Sequence, residues 1–223
     1  WIQQDPKLLA LHDDVGVLYL QLNRPLDAVR HFAISTAFQQ ASAAAHFNLA
    51  TALTMAGQLN SATAEYHKAL TLRPDYAQAH NNLGGILLRT GKIDEALPHL
   101  TEAVRLDPAN AQAHYNLGAA RQQQKQTADA IASFRRSLQI SADQPAALAD
   151  LAWLLATTRE PELRQPTLAV QLAERAAVLT GRQDPAALDV LAAAYASAGD
   201  FTRAVTAAEA ALTLGPVNTA EIT

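Results

Sequence analysis

Residues 77–110 read AQAHNNLGGILLRTGKIDEALPHLTEAVRLDPAN, and the segments on either side repeat this spacing at a period of 34 residues. Four histidines mark the period: His12, His46, His80 and His114 are each 34 apart. Three residues after each histidine comes an apolar residue followed by Gly or Ala: Val15-Gly16, Leu49-Ala50, Leu83-Gly84 and Leu117-Gly118. A fixed period of this length signals supersecondary units that bury their apolar faces by stacking on one another.

Working outward, residues 1–8 read as the tail of a preceding unit, and six units follow at 9–42, 43–76, 77–110, 111–144, an irregular 145–184, and 185–218. On this reading the chain, which opens at Trp1 and carries Asp5-Pro6 where the central unit ends in Asp107-Pro108, is a piece of a longer array. Within each unit two apolar-periodic segments flank a short polar turn such as Arg89-Thr90-Gly91-Lys92, the pattern of a helical hairpin with helices A and B.

Small residues recur where the helices approach: Gly16, Ala50, Gly84, Gly118, Ala152 and Ala192 on helix A, facing Ala28, Ala62, Ala96, Ala130, Ala169 and Ala204 on helix B. Asp94-Glu95 suits the positive end of helix B. Pro74, Pro108 and Pro216 end it, because proline has no N–H and keeps the preceding residue out of helical geometry. Pro98, near the first turns of helix B, predicts a modest local distortion rather than a break. Two departures stand out. In the fourth unit Arg121 replaces a large apolar residue and Ser141-Ala142-Asp143 lacks the terminal proline, which predicts a looser hairpin. In the fifth, TTREPELRQP (157–166) predicts a long turn, more readily a tolerated insertion than a contact site.

These residues resemble the tetratricopeptide repeat. The central unit carries the family pattern as His80, Leu83-Gly84, Leu87, Gly91, Ala96, Leu100, Ala103 and Pro108; the unit before it carries His46, Leu49-Ala50, Leu53, Gly57, Ala62, Tyr66, Ala69 and Pro74. The resemblance covers nearly the whole chain. It implies an all-α fold, a right-handed α-solenoid of stacked hairpins forming a single array over 1–223. LAWLLAT, PELR, LAERA and DPAALDVLAAAYASAG further resemble the C-terminal arrays of large bacterial multidomain proteins.

Composition narrows the function. The chain has 223 residues, 49% hydrophobic, a net charge of -4 and a sequence pI near 6.0. Its scattered basic residues do not make the Lys/Arg patch that nucleic acid or an anionic membrane requires. With no cysteine, disulfides, thiolate metal sites and cysteine nucleophiles are excluded, and the compartment stays open. No apolar run approaches membrane-spanning length.

Nucleophile elbows, P-loops and H-E-x-x-H are absent, and the neighbours Asp13-Asp14 point about 100° apart on a helix, so no acid/base dyad forms. The chain is therefore read as non-enzymatic and without a cofactor. The histidines share a face, yet equivalent atoms of stacked hairpins lie roughly 8–10 Å apart, too far to converge on one metal ion. They read as packing residues, and His31, His67 and His99 as surface or interhelix positions on helix B.

What remains is the concave surface that helix A lines in such a solenoid. Asn48, Asn82 and Asn116 recur there at the 34-residue period. A carboxamide offers a donor and an acceptor together, matching the N–H and C=O of an extended peptide whatever its side chains. This resembles the asparagine ladder of the superhelical arrays in O-GlcNAc transferases; the competing reading is that each Asn hydrogen-bonds locally. Phe47, Thr51, Met55, Gln78, Asn81, Arg89, Gln112, Tyr115, Gln122 and Trp153 are expected in the same groove, with Asp14 and Asp150 replacing Asn in outer units. The Lys/Asn/Arg clamp for chaperone-tail carboxylates does not match, since Phe47, Gly85 and Gln112 stand at its places. The expectation is a protein or peptide partner held in the groove. Alternatives are a scaffold that self-associates through its terminal repeats, or the substrate-recognition arm of a larger enzyme such as a glycosyltransferase.

Overall fold

The computed structural model describes residues 6–38 and 42–215. Among the described residues there are twelve α-helices, one 3-10 turn at Pro161–Leu163, and no strand. The chain divides into two compact units, Trp1–Pro108 and Ala109–Thr223. Each is built of helical hairpins, the all-α solenoid pattern the period requires.

The first unit holds α1 (Pro6–Gln21) with α2 (Pro25–Phe38), α3 (Ala43–Met55) with α4 (Leu59–Leu72), and α5 (Ala77–Arg89) with α6 (Ile93–Leu106). Helix α1 thus starts at Pro6, where proline occupies a first-turn position whose N–H would have no partner in the helix. The second unit holds α7 (Ala111–Gln123) with α8 (Thr127–Ile140), α9 (Pro145–Thr157) with α10 (Pro166–Leu179), and α11 (Pro185–Ser197) with α12 (Phe201–Thr213). Helices α4 and α6 stop two residues before Pro74 and Pro108; Pro216 lies outside the described residues. Helix α6 runs without interruption through Pro98.

Five of the six A–B turns reverse the chain through one residue with positive φ, the long fifth turn being the exception. Gly91 supplies it at φ 75°, and the Lys92 N–H donates to Leu87 O, filling a carbonyl the helix end leaves open. In the fourth hairpin Lys125 takes the same conformation at φ 60° without glycine's freedom.

Hairpin packing explains the small residues and refines their partners. A Cβ on Gly16 would stand 2.7 Å from the Phe32 ring, on Gly84 2.6 Å from Leu100, and on Gly118 2.7 Å from the Phe134 ring. The side chains met are the large ones a turn beyond Ala28, Ala96 and Ala130. Phe32, Leu100 and Phe134 are at most 1% exposed, so none can move aside. In the fifth hairpin the same two places hold Ala152 and Ala173, both fully buried.

The fourth hairpin is not loose. Arg121 donates to Ser133 Oγ at 2.8 Å and to Asp129 O at 3.4 Å, so its guanidinium ties α7 to α8. In place of the missing proline, Gln144 Nε2 donates to Ser137 O and Ser141 O, and Ser137 Oγ donates to Ala111 O at 2.7 Å. Polar side chains here bond the carbonyls that end the helix. The 157–166 insertion is likewise folded onto the hairpin: Thr158 is buried, its carbonyl accepts from Arg164 Nε and Nη2, and Gln165 N donates to Leu155 O.

Candidate functional site

Three of the four histidines of the period have partners 19 residues on, across the hairpin. His12 Nδ1 lies 2.9 Å from His31 Nδ1, His46 Nδ1 lies 2.6 Å from Glu65 Oε2, and His80 Nδ1 lies 2.9 Å from His99 Nδ1. The place opposite His114 is Ser133, which Arg121 occupies. His80 Nε2 faces Pro74 O at 2.9 Å; with that nitrogen donating, the His99 Nδ1–H donates to His80. Burial, with His80 and His67 close by, holds the His99 pKa down to about 4. Burial pushes Glu65 up, but hydrogen bonds from Lys68 and His46 outweigh it and leave the carboxyl below its ordinary value. Among the described residues no cluster of three metal-ligating side chains occurs. The period therefore records hairpin-closing contacts.

On the Asn-bearing face of the first unit, four polar groups form a chain. Asn82 Nδ2 donates to Tyr66 Oη at 3.1 Å, Tyr66 Oη lies 3.2 Å from Thr51 Oγ1, and Asn81 Nδ2 donates to Asn82 Oδ1 at 3.3 Å. Phe47 stacks on Tyr76 at 4.8 Å and meets Tyr66 edge-on at 5.9 Å, while the Arg73 guanidinium lies 3.2 Å above the Tyr76 ring. Asn48 is half-buried and its amide makes no hydrogen bond among the described residues. Met55, Gln78 and Arg89 are exposed. Asn81 departs from the expectation: it is only 8% exposed, so its amide belongs to the hairpin's interior and not to an open groove.

On the corresponding face of the second unit, Gln112 Nε2 donates to Asn116 Oδ1 at 3.0 Å, and Tyr115 Oη donates to Asp150 Oδ2 at 3.0 Å. The Tyr115 ring leans on Phe134, 5.7 Å away. Burial, then the Asp150 charge and hydrogen bond, raise the Tyr115 pKa well above that of a free phenol. Burial also raises Asp150, opposed by the Tyr115 hydrogen bond. Trp153 stands one turn further along α9, 43% exposed, and Gln122 is half-buried.

Sequence reasoning did not place Tyr66, Tyr76 or Arg73 at this face. An aromatic immediately before helix A, following Arg-Pro, was the available signal for the last two. It also gave no sign of a hollow of about 550 Å³ bordered by Thr36, His46, Leu49, Lys68, Thr71 and Leu72 in the first unit. No described helix is long and apolar enough to cross a membrane.

Two family models, both described as tetratricopeptide repeat, match residues 40–109 and 86–145. No curated protein matches the sequence. Among solved structures, pilF of Pseudomonas aeruginosa is 27% identical with a TM-score of 0.80, over 95% of this chain and 94% of that one. PilW, described as a type IV pilus biogenesis factor, is 19% identical with a TM-score of 0.77, over 98% of each chain. YrrB, described as a TPR protein with an unusual peptide-binding site, is 20% identical with a TM-score of 0.68, over 84% of this chain and 93% of that one. At those identities the likeness to PilW and YrrB speaks to fold alone.

Proposed function

The chain belongs to the tetratricopeptide repeat family, and from that premise we propose that it is a noncatalytic protein–protein interaction module, one array over residues 1–223, whose helix-A face holds an extended partner segment by its backbone. Members of this family are in general interaction modules without chemistry of their own, and the face described above carries hydrogen-bonding and aromatic groups with no nucleophile or metal cluster among them.

The observation that carries the reading is the amide at one register of successive hairpins, Asn48, Asn82 and Asn116. Of the four hydrogen-bonding positions of the Asn82 amide, one N–H goes to Tyr66 and one lone pair to Asn81. The other N–H and lone pair are what a peptide unit needs. The Tyr66 bond also fixes the amide's orientation, so little rotamer entropy remains to be lost on binding. Phe47, Thr51, Met55, Gln78, Arg89, Gln112, Tyr115 and Trp153 line the same face in this proposal.

On an array of extended peptides, the variant with Asn48→Ala, Asn82→Ala and Asn116→Ala is expected to bind at least about tenfold more weakly, with helical content unchanged by circular dichroism. Undiminished binding would sink the ladder.

A second reading, self-association, is favoured by apolar side chains left open on the outer hairpins: Leu22 at 66% and Leu26 at 57% in the first, Phe201 at 69% and Leu212 at 79% in the last. Light scattering over a concentration series separates the two, since a strictly monomeric chain removes it.

A further inference from the structure

Asp150 stands 34 residues beyond Asn116, at the register where three preceding units carry a neutral amide. Its carboxylate is partly buried on α9 and receives one described hydrogen bond, from Tyr115 Oη to Oδ2. Among the described residues no cation meets it. The described ion pairs of this unit are Arg175–Asp143, Arg203–Glu174 and Arg203–Asp200. The other bonded guanidiniums go elsewhere: Arg121 to Ser133, Arg135 to Gln165, Arg136 to Gln139 and Arg164 to Thr158 O.

Burying a carboxylate without a counter-charge is costly, and burial does raise the Asp150 pKa. An asparagine at this place would keep the shape and remove the cost. The carboxylate is thus a poor choice for the fold alone and a good one for a ligand that brings positive charge. One aromatic side chain bonds it and a second follows it one turn on along α9. The Tyr115 phenol orients one carboxylate oxygen and leaves the other without a described partner, and Trp153, three residues on and so on the same helix face, presents an exposed indole. A carboxylate beside an open indole attracts a cation twice, by its charge and by the negative face of the ring.

We propose that Asp150, Tyr115 and Trp153 form a subsite for a lysine or arginine side chain of the extended partner segment. This rests on the backbone-binding reading and adds to it the first side-chain preference: the amide register is indifferent to sequence, whereas here one partner residue is cationic.

The test uses the full chain and labelled extended Ser/Ala peptides carrying a single Lys or Arg, each with a norleucine counterpart, read by fluorescence anisotropy. Wild type is expected to bind the cationic peptides at least about tenfold more tightly than norleucine, and Asp150→Asn to erase that difference while binding norleucine at least as tightly as wild type, since it sets an amide at that register. Trp153→Ala is expected to lose part of the preference. Melting at neutral pH controls for folding: Asp150→Asn is expected to melt no lower than wild type, because it removes an unpaired buried charge. If Asp150→Asn keeps the full preference, or wild type shows none while norleucine peptides still bind through the Asn register, the subsite is wrong and the backbone reading stands. If no peptide of either kind binds, both fall.

Discussion

Asn82 in the first unit and Asp150 in the second occupy the same register of the repeat and sit in opposite states. Asn82 lies in a neutral chain in which Asn81, Tyr66 and Thr51 are its neighbours, and each group in it has a partner within the hairpins. Asp150 carries a carboxyl group, has one described donor in Tyr115, and has no basic side chain beside it among the described residues. The repeat therefore fixes where a side chain is displayed, while the residue at that place decides whether the display is a neutral amide with one donor and one acceptor to spare or a carboxylate that can only accept. Stability and recognition are separable along this chain, and the pH response separates them further. His99 resists protonation, so the first unit loses stability as pH falls; Asp150 resists ionisation, so the second gains it.

The largest effect comes from breaking the register that both faces share. Gly84→Val and Gly118→Val put a Cβ less than 3 Å from Leu100 and Phe134, with two methyl groups beyond it, and each is expected to cost about 3 kcal/mol in chemical denaturation. Pairing Gly84→Val with Leu100→Ala should cost clearly less than the sum of the two changes; strict additivity would mean that the close approach is not what the glycine serves.

The next two effects separate the faces. Tyr66→Phe removes the hydroxyl that Asn82 and Thr51 share beneath the first face, with an expected loss of about 1–2 kcal/mol. Tyr115→Phe should change stability less and instead move the titration of Asp150 upward, because its hydrogen-bond donor is gone; carbon-13 NMR of the carboxyl reads this directly. An unmoved Asp150 titration would mean that the phenol does not govern the carboxylate. The smallest effect is that of His99. Its folded pKa of about 4 lies below the ordinary 6.5, so its contribution is complete above pH 6.5, declines through that window and is lost below about 4. Discounted for its partial exposure, this amounts to about 1 kcal/mol, which His99→Gln should remove from the pH profile of melting.

The fold was open to sequence reading because it rests on spacing. His80, Leu83-Gly84, Ala96 and Pro108 recur in register, and register is what a solenoid is made of. The site was half legible. Periodicity gave the face of Asn48, Asn82 and Asn116, but adjacent residues on a helix point about 100° apart, and NN at 81–82 does not say which one is turned inward. The structure buries Asn81. Contacts between helices were out of reach for a related reason: Tyr66–Asn82 and Tyr115–Asp150 depend on the lengths and directions of side chains that meet from different helices, which no spacing rule encodes. Arg121 shows the same limit. By size and charge it predicts disorder in the packing, yet its reach to Ser133 makes it a brace.

The central claim is that amides at one register hold a partner by its main chain. An N-methyl scan of a binding peptide from the array tests it most directly, because each methyl removes a single backbone donor and leaves the side chains in place. The account predicts that methylation at the amides facing Asn48, Asn82 and Asn116 weakens binding at least about tenfold while alanine substitution at the same residues is tolerated. A peptide that tolerates every N-methyl group but fails on side-chain replacement would contradict it.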